Sequence, residues 1–491
     1  MKRTKKLLVG ILATLSVLSG SLGLAACDLE LSLGNGAGNQ NSSNAGEEAV
    51  AISEGLAYEL LENDTYAVVG IGDCMDTEIV IPSNYNDKAV TSISDQAFAY
   101  RDSLTSVTIR GSVTSIGNGA FYDCNSLTSV VIGKGVTSIG VSAFSDCEIL
   151  TEIKVNENNT AYRDIDGNLY TKDGATLIQY AIGKTNPSFT IPDSVTTIGD
   201  GAFFRCNSLT SVTIPGSVIT IGRGAFWCCS SLTSVEIPDS VTSIGEAAFY
   251  SCESLTNVII GNSVTSIEFY TFYACESLTN IVIGDSVTSI GESALTWCEK
   301  LMNITVGENN SNLKSIDGNL YTKDGTTLIQ YSIGKTDTSF VIPDSVTTIG
   351  ESAFSWCTSL TSIEIPDRVT SLGNNAFSQC TSLTSIEIPD RVTSIGYNVF
   401  GSCSSLTSVE IPDSVTSIGD SAFSGCDSLT SIEIPDSVTS IGNHAFYDCD
   451  SLTSITFNGT VEEWNAISKG DNWNNGVPAT KVVCSDGEVF L

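Results

Sequence analysis

Hydrophobic positions recur every 23 residues along most of the chain, in the pattern VTSIGxxAFxxCxSLTSIxIP. The cysteine of this pattern follows its aromatic residue by three positions, and only the first repeat departs from it, with Arg101. Thirteen copies in one register predict a leucine-rich repeat solenoid, in which each repeat forms one coil and buries its apolar side against its neighbours. The aromatic position is filled once by Leu295 and otherwise by Phe98, Phe121, Phe144, Phe203, Phe226, Phe249, Phe272, Phe354, Phe377, Phe400, Phe423 and Phe446.

One repeat predicts two short strands and one turn. In residues 429–434 the two isoleucines alternate with Ser and Glu, which places the isoleucines inward and the polar residues outward on a strand. Residues 438–441 form a second short apolar stretch of β type. Phe446 and Cys449 have the i, i+3 spacing of a short helical turn that packs both side chains inward.

Two insertions, at about residues 156–187 and 307–338, interrupt the period. Both contain the sequence IDGNLYTKDG, at 165–174 and 316–325, followed by TLIQY. Short apolar runs on both sides of a Lys-Asp-Gly turn predict a β-hairpin in each insertion. Each insertion then returns to the repeat through a strand of its own, and we expect 16 strands in one parallel ladder.

The first 26 residues have the layout of a secretory signal, with four basic residues before an apolar run. The run is also about long enough to span a membrane, so a signal anchor is the alternative. The sequence LAAC at 24–27 looks like the lipobox of bacterial lipoproteins, in which the cysteine is acylated and becomes the new N-terminus. We therefore expect Cys27 to carry a lipid anchor and to be the chain's one link to a membrane.

Residues 27–50 are rich in Gly, Asn and Ser and predict a flexible tether. Residues 51–90 and 458–491 depart from the repeat and are expected to form an N-terminal and a C-terminal cap of the solenoid at 91–457. Trp464 and Trp473 in the second of these segments are expected to pack inside it, with stacking on sugars as the alternative.

The amino-acid composition excludes several classes of function. The formal charge of −34 argues against a nucleic-acid partner, because such proteins present a basic footprint. The single histidine, His444, occupies a variable turn position, and carboxylates recur because the repeat was copied. We therefore predict no catalytic residues, no metal site and no cofactor.

Fifteen cysteines remain after Cys27 is set aside. Cysteines of consecutive coils should lie about 4.8 Å apart with parallel side chains, whereas a disulfide needs Cβ atoms about 3.5–4.5 Å apart and turned toward each other. The cysteines of consecutive repeats are therefore predicted to form a column of buried free thiols.

The repeat resembles the BspA-like, or treponemal-type, class of bacterial leucine-rich repeats, and the resemblance covers about residues 51–491. It implies an α/β repeat solenoid that is right-handed and curved, with a parallel sheet on the concave face and short helical turns and second strands on the convex side. It also implies display on the extracellular face of a bacterial envelope and adhesion to host or bacterial surface molecules. A fold transfers between relatives far better than a ligand does.

The outward strand positions are those that the core does not dictate. Ile259 and Val282 form a small apolar spot, and a file of glutamates follows it. A basic protein patch or a divalent ion could pair with this file, and the alternative is that duplication copied one tolerated surface residue. The candidate binding face consists of Glu236, Ile259, Val282, Glu364, Glu387, Glu410 and Glu433.

The sequence thus predicts a monomeric, lipid-anchored surface protein that contacts proteins or other surface macromolecules. One alternative is a glycan-binding module, which should carry aromatic residues at outward strand positions, where the chain has none. A second is an enzyme that uses the repeats as a scaffold, but the segments outside the repeats are too short to hold an active site.

Overall fold

The computed structural model describes residues 51–491, so the predicted signal, Cys27 and the tether lie outside the described residues. Within them the chain is a parallel β-solenoid whose repeats form successive coils. One helix, Val461–Ala466, is present in this part of the chain, and no helix there is long and apolar enough to span a bilayer.

The first strand of each repeat forms what we call the main ladder. Its inward side chains, such as Ile432 and Ile434, are buried, and its outward ones, such as Ser431 and Glu433, are exposed, which confirms the predicted alternation. The 16 strands are Glu78–Ile81, Ser106–Ile109, Ser129–Ile132, Glu152–Val155, Ser188–Thr190, Ser211–Thr213, Ser234–Ile237, Asn257–Ile260, Asn280–Ile283, Asn303–Val306, Ser339–Val341, Ser362–Glu364, Ser385–Glu387, Ser408–Glu410, Ser431–Ile434 and Ser454–Phe457.

The main ladder is not one continuous sheet, and in this the prediction was wrong. Its strands fall into four hydrogen-bonded sheets, with breaks after Glu152–Val155, Asn303–Val306 and Ser408–Glu410. The first two breaks coincide with the insertions. In the second insertion the turn at Asp317 and Gly318, just before the predicted hairpin, lies beside Asn303–Val306. There the Ile304 N–H donates to the Gly318 carbonyl at 2.9 Å instead of to a strand of the next coil.

The second strand of each repeat forms a narrower parallel ladder, mostly of two residues per coil. Its serine, threonine and isoleucine residues pair with the same residues of the neighbouring coil. Its strands are Lys88–Ile93, Ser115–Ile116, Ser138–Ile139, Thr197–Ile198, Thr220–Ile221, Ser243–Ile244, Ser266–Ile267, Ser289–Ile290, Thr348–Ile349, Ser371–Leu372, Ser394–Ile395, Ser417–Ile418, Ser440–Ile441 and Ser468–Lys469.

The segment with the buried aromatic residue forms hydrogen-bonded turns, not the predicted helical turn. His444 and Asp448 have φ of 55° and 53°, outside the helical region. The Phe423 N–H donates to the Ala445 carbonyl of the next coil at 2.8 Å, and most coils repeat this bond. Phe446 and Cys449 are nevertheless fully buried, as predicted.

Each insertion contains the predicted hairpin and one further strand. In the first, Tyr162–Ile165 pairs with Asn168–Thr171, which pairs with Thr176–Gln179, and that strand joins the second ladder. The second repeats this arrangement with Leu313–Ile316, Asn319–Thr322 and Thr327–Gln330. Tyr180 and Tyr331 then occupy the aromatic position of a coil, so each insertion also contains a degenerate repeat that the sequence analysis missed.

The core is a column of stacked phenylalanines, interrupted at the insertions. Neighbouring rings such as Phe377 and Phe400 have centroids 5.4 Å apart and planes 6° apart. Buried side chains form three consecutive clusters, and the hairpin strands separate them, because Leu169 faces the first cluster and Tyr170 the second.

The two ends contain other elements. Residues 51–90 contain strands Ala57–Leu60, Tyr66–Gly70 and Asn84–Tyr85 in addition to the first ladder strands. Helix Val461–Ala466 begins with a capping box of Thr460 and Glu463, and strands Lys481–Cys484 and Gly487–Phe490 follow it.

Candidate functional site

The glutamates at outward strand positions form a file on the main ladder. Strand pairing places Glu364 beside Glu387 and Glu387 beside Glu410, and Glu433 occupies the same position of the next coil. All four are exposed, and within residues 51–491 none of them has an ion-pair partner within 4.0 Å. We call these four residues the acidic file.

The remaining candidate residues lie apart from the acidic file. Glu236 pairs with Ile259 and Ile259 with Val282, so the three are neighbours on the sheet before the second insertion. Ile259 is 43% exposed and Val282 36% exposed, and two asparagine neighbours, Asn257 and Asn280, flank them. The structure therefore divides the predicted binding face into an apolar spot with Glu236 on one sheet and the acidic file, whose first three members share a second sheet while Glu433 begins a third.

A shallow depression of about 440 Å³ lies at the start of the acidic file. Its lining includes Ser339, Phe340, Val341, Glu364 and Glu387. Val341 is 62% exposed, which is more than any other aliphatic residue at an outward position of the main ladder. The reason is that Ser339–Val341 is the first strand of its sheet and lacks a neighbour on one side.

A second, smaller cavity of about 160 Å³ lies beside the second insertion. Glu292 and Glu351 both line it, and burial together with the Glu351 charge raises the pKa of Glu292 above its usual value. The first insertion has Val141 and Asp200 at the same two positions. No group of three metal-ligating side chains occurs in the described residues.

Twelve of the fifteen described cysteines, those three residues after the aromatic position of a repeat, form a buried column. Most of these thiols donate a hydrogen bond to the backbone carbonyl of the buried phenylalanine in the preceding coil. Examples are Cys403 to Phe377 at 3.1 Å and Cys426 to Phe400 at 3.2 Å. Where the preceding coil has Tyr180 or Tyr331 at the aromatic position, the side-chain amide of Gln179 or Gln330, and not a thiol, donates to the tyrosine backbone carbonyl. All fifteen cysteines in residues 51–491 are free thiols, which confirms the prediction for the twelve of the column.

We expect the buried cysteines to resist alkylation in the native protein. Burial raises the pKa of Cys206 to about 11 and those of Cys298 and Cys449 to about 12, so the reactive thiolate is scarce and inaccessible. Iodoacetamide at about pH 8, followed by mass spectrometry, should modify the column only after urea is added. Rapid modification of Cys298 or Cys449 in native protein would contradict the burial shown here. The half-buried Cys228 serves as the internal comparison.

A row of aromatic side chains lies on the turns that carry the buried phenylalanines, and the sequence analysis did not predict it. Phe204, Trp227, Tyr250 and Tyr273 each follow the buried phenylalanine directly, and this spacing of 23 residues was the available signal. Trp227 and Tyr250 stack at 4.3 Å between ring centroids, and Tyr250 and Tyr273 at 5.0 Å. Because these rings cover one another's faces, they stabilise adjacent coils and leave little ring face for a sugar.

The other aromatic and imidazole candidates have structural partners. Trp464 and Trp473 are 2% and 8% exposed and pack against each other at 5.8 Å, so stacking on sugars is not available to them. This confirms the expected packing inside the C-terminal segment. His444 packs edge-on against Tyr447 at 5.3 Å between ring centroids.

Comparisons with known proteins give a matching family model and several similar solved structures. A family model described as a BspA type leucine rich repeat region matches residues 73–169, 180–302, 221–340 and 330–453. A solved leucine rich cell surface protein from Faecalibacterium prausnitzii is 33% identical, with a TM-score of 0.55, over 87% of this chain and 99% of that one. A leucine-rich repeat protein from Bacteroides ovatus is 27% identical, with a TM-score of 0.43, over 89% of this chain and 94% of that one. A search of curated proteins gives no match.

Proposed function

Since this chain belongs to the BspA type leucine-rich repeat family, we propose that it is a cell-surface scaffold on which other proteins dock. Repeat scaffolds of this kind present extended surfaces for protein–protein contacts. The observation that carries the proposal is the acidic file, an exposed row of like charges that has no internal ion-pair partner among the described residues.

The partner that suits the acidic file is a basic protein segment. Carboxylates on neighbouring coils, about 4.8 Å apart, repel one another by about 1 kcal/mol per pair even in water. A segment with lysines or arginines removes this repulsion and adds attraction, which also raises the rate of encounter. The total charge of −34 supports the same partner class.

We expect the change of Glu364, Glu387, Glu410 and Glu433 to glutamine to weaken binding of basic partners roughly tenfold, or about 1.4 kcal/mol. The measurement is capture of surface proteins by immobilised residues 51–491, followed by titration of the captured protein at low and high salt. Wild-type binding should weaken with salt, because exposed charges are screened.

The matched control changes Glu148, Glu253, Glu276 and Glu299 to glutamine. These four residues are exposed, each follows a cysteine of the column, and their loss alters the total charge by the same amount. The proposal requires binding to survive in this control. Equal binding by wild type and both variants would show that the acidic file is a relic of duplication.

Attachment at the surface is proposed through Cys27. The support is the lipobox-like sequence LAAC at 24–27, between an apolar run and a Gly/Asn/Ser-rich segment. Metabolic labelling with an alkyne fatty acid should mark the wild-type protein and not the Cys27→Ala variant. Equal labelling of both would remove the anchor from the proposal and leave the docking surface untouched.

A further inference from the structure

The strand Ser339–Val341 is an open edge of the main ladder. It pairs with Ser362–Glu364 on one side and with no strand on the other. The preceding ladder strand, Asn303–Val306, is the last strand of another sheet, and the carbonyl of Gly318, in the turn at 317–318, accepts the hydrogen bond of its Ile304 N–H. The second insertion therefore leaves a gap in the ladder in front of Ser339.

The backbone groups of Ser339 and Val341 point into that gap. The Thr361 N–H donates to the Thr338 carbonyl at 2.8 Å, and the Ile342 N–H donates to the Glu364 carbonyl at 3.0 Å. Residues 338 and 342 thus direct their backbone groups toward the next coil. Because alternate residues of a parallel strand bond to opposite sides, residues 339 and 341 direct theirs toward the open edge. No hydrogen bond within residues 51–491 occupies these groups on that side.

Exposure of the strand supports an accessible edge. Phe340 points inward, against Tyr331 and Phe354 at 4.8 and 5.9 Å between ring centroids, yet it remains only partly buried. The inward residues of the next two coils, Ile363 and Ile386, are 6% and 5% exposed. The difference is that Phe340 has no strand on its other side to cover it.

We propose that this edge binds an extended, basic segment of a partner protein, which adds to the main ladder as a further strand. Unpaired N–H and C=O groups in a row are complementary to another extended backbone, and this mode of peptide recognition recurs in other folds. The acidic file begins on the adjacent coils, at Glu364 and Glu387, and selects positive side chains. The inference rests on the proposed function and specifies how the partner docks.

The charge of the chain argues against a second copy as the occupant. Two molecules of formal charge −34 repel, and their acidic files would come close if two such edges paired. The first insertion offers a weaker edge at Ser188–Thr190. There the Ser188 N–H already donates to the Asn186 side chain at 3.1 Å, and the strand after it carries Thr213 in place of a glutamate. The geometry therefore selects the second edge.

The test uses a peptide of alternating lysine and valine, of about the length of a long strand. A second peptide has the same sequence with N-methyl groups on alternate backbone amides, which keeps the charge but prevents strand pairing. Binding to residues 51–491 is measured by fluorescence anisotropy. We expect the unmodified peptide to bind at least tenfold more tightly than the methylated one.

Two protein variants locate the site. Val341→Pro removes an N–H that makes no hydrogen bond within the described chain, and proline is tolerated on edge strands, so we expect an intact fold and at least tenfold weaker binding. Thr190→Pro makes the same change at the first edge and should leave binding unchanged.

The outcomes separate this inference from the proposed function. Equal binding of the two peptides, or unaltered binding to Val341→Pro, would overturn strand addition while the acidic file still stands. A dimer of residues 51–491 that Val341→Pro dissolves would show a second copy to be the occupant and would also overturn it. Failure of both peptides to bind would overturn the strand addition and the acidic file together. The peptide comparison needs no altered protein, so it decides even if a proline variant misfolds.

Discussion

Replacement of Asn310 by alanine is expected to lower the local free energy of unfolding at the second insertion by about 4 kcal/mol. Asn310 is 1% exposed, and its side chain makes four hydrogen bonds to backbone groups. Its amide donates to the carbonyls of Gly284 and Val287, both at 2.9 Å, and its carbonyl oxygen accepts the N–H groups of Asn312 and Leu313 at 2.9 and 2.8 Å. Alanine leaves these groups without partners, and each buried loss costs about 1–3 kcal/mol.

The measurement is native-state hydrogen exchange, because a repeat array unfolds in parts and one global transition does not describe it. Amides of the strands Leu313–Ile316 and Asn319–Thr322 of the second insertion should exchange faster in the variant, while those near the C-terminus keep their rates. Asn309→Ala is the control, since the exposed Asn309 side chain makes one hydrogen bond, to Asp285 at 3.1 Å. Equal effects of the two variants would show that Asn310 does not anchor the insertion.

Much of the fold was predictable because the same constraint is written 13 times in the sequence. A single coil cannot bury Phe446, Cys449 and Ile432 together, so a chain that repeats these positions must stack its coils. The period therefore fixes the order of the coils, their register and the inward residues, independently of local propensity.

The local conformation within a repeat was less predictable, because it depends on hydrogen bonds between coils. The i, i+3 spacing of Phe446 and Cys449 fits a helical turn as well as the turns observed, since both place the two side chains on one side. The deciding hydrogen bonds come from the neighbouring coil, as from the Phe423 N–H to the Ala445 carbonyl. A pattern within one repeat contains no information about such bonds.

One part of the candidate site was predictable from the sequence and another part was not. The acidic file follows from strand alternation and the period, so its members could be named from the sequence. The open edge at Ser339–Val341 depends on where the turn at Gly318 lies, which the sequence pattern of one repeat does not specify. One signal was available, because phenylalanine occupies an inward strand position at Phe189 and Phe340, where the repeats carry valine or isoleucine.

Replacement of Arg205 by leucine is expected to destabilise the coils around the first insertion by about 3 kcal/mol. Arg205 donates to the Asp146 carboxylate across this insertion, and Asp146 is 2% exposed. Trp297 and Trp356 hold the same two positions at the second insertion and pack at 4.8 Å, so an apolar pair can serve there. Removal of Arg205 alone leaves a buried carboxylate without its counter-charge, which costs far more than the pair itself contributes.

The pH dependence separates this cause from a simple loss of packing. Burial raises the pKa of Asp146 even beside Arg205, and without the guanidinium the pKa should rise further. A group whose pKa is higher in the folded state than in the unfolded state loses its contribution to stability as the pH rises through the folded value. Urea unfolding of Arg205→Leu, compared with wild type, should therefore show a loss of free energy of unfolding that is small near pH 4 and grows toward pH 7.

The double variant Asp146→Leu with Arg205→Leu should recover most of the stability, with no such dependence on pH, as the tryptophan pair suggests. A deficit that is equal at both pH values and persists in the double variant would instead assign the role of Arg205 to the packing of its side-chain stem.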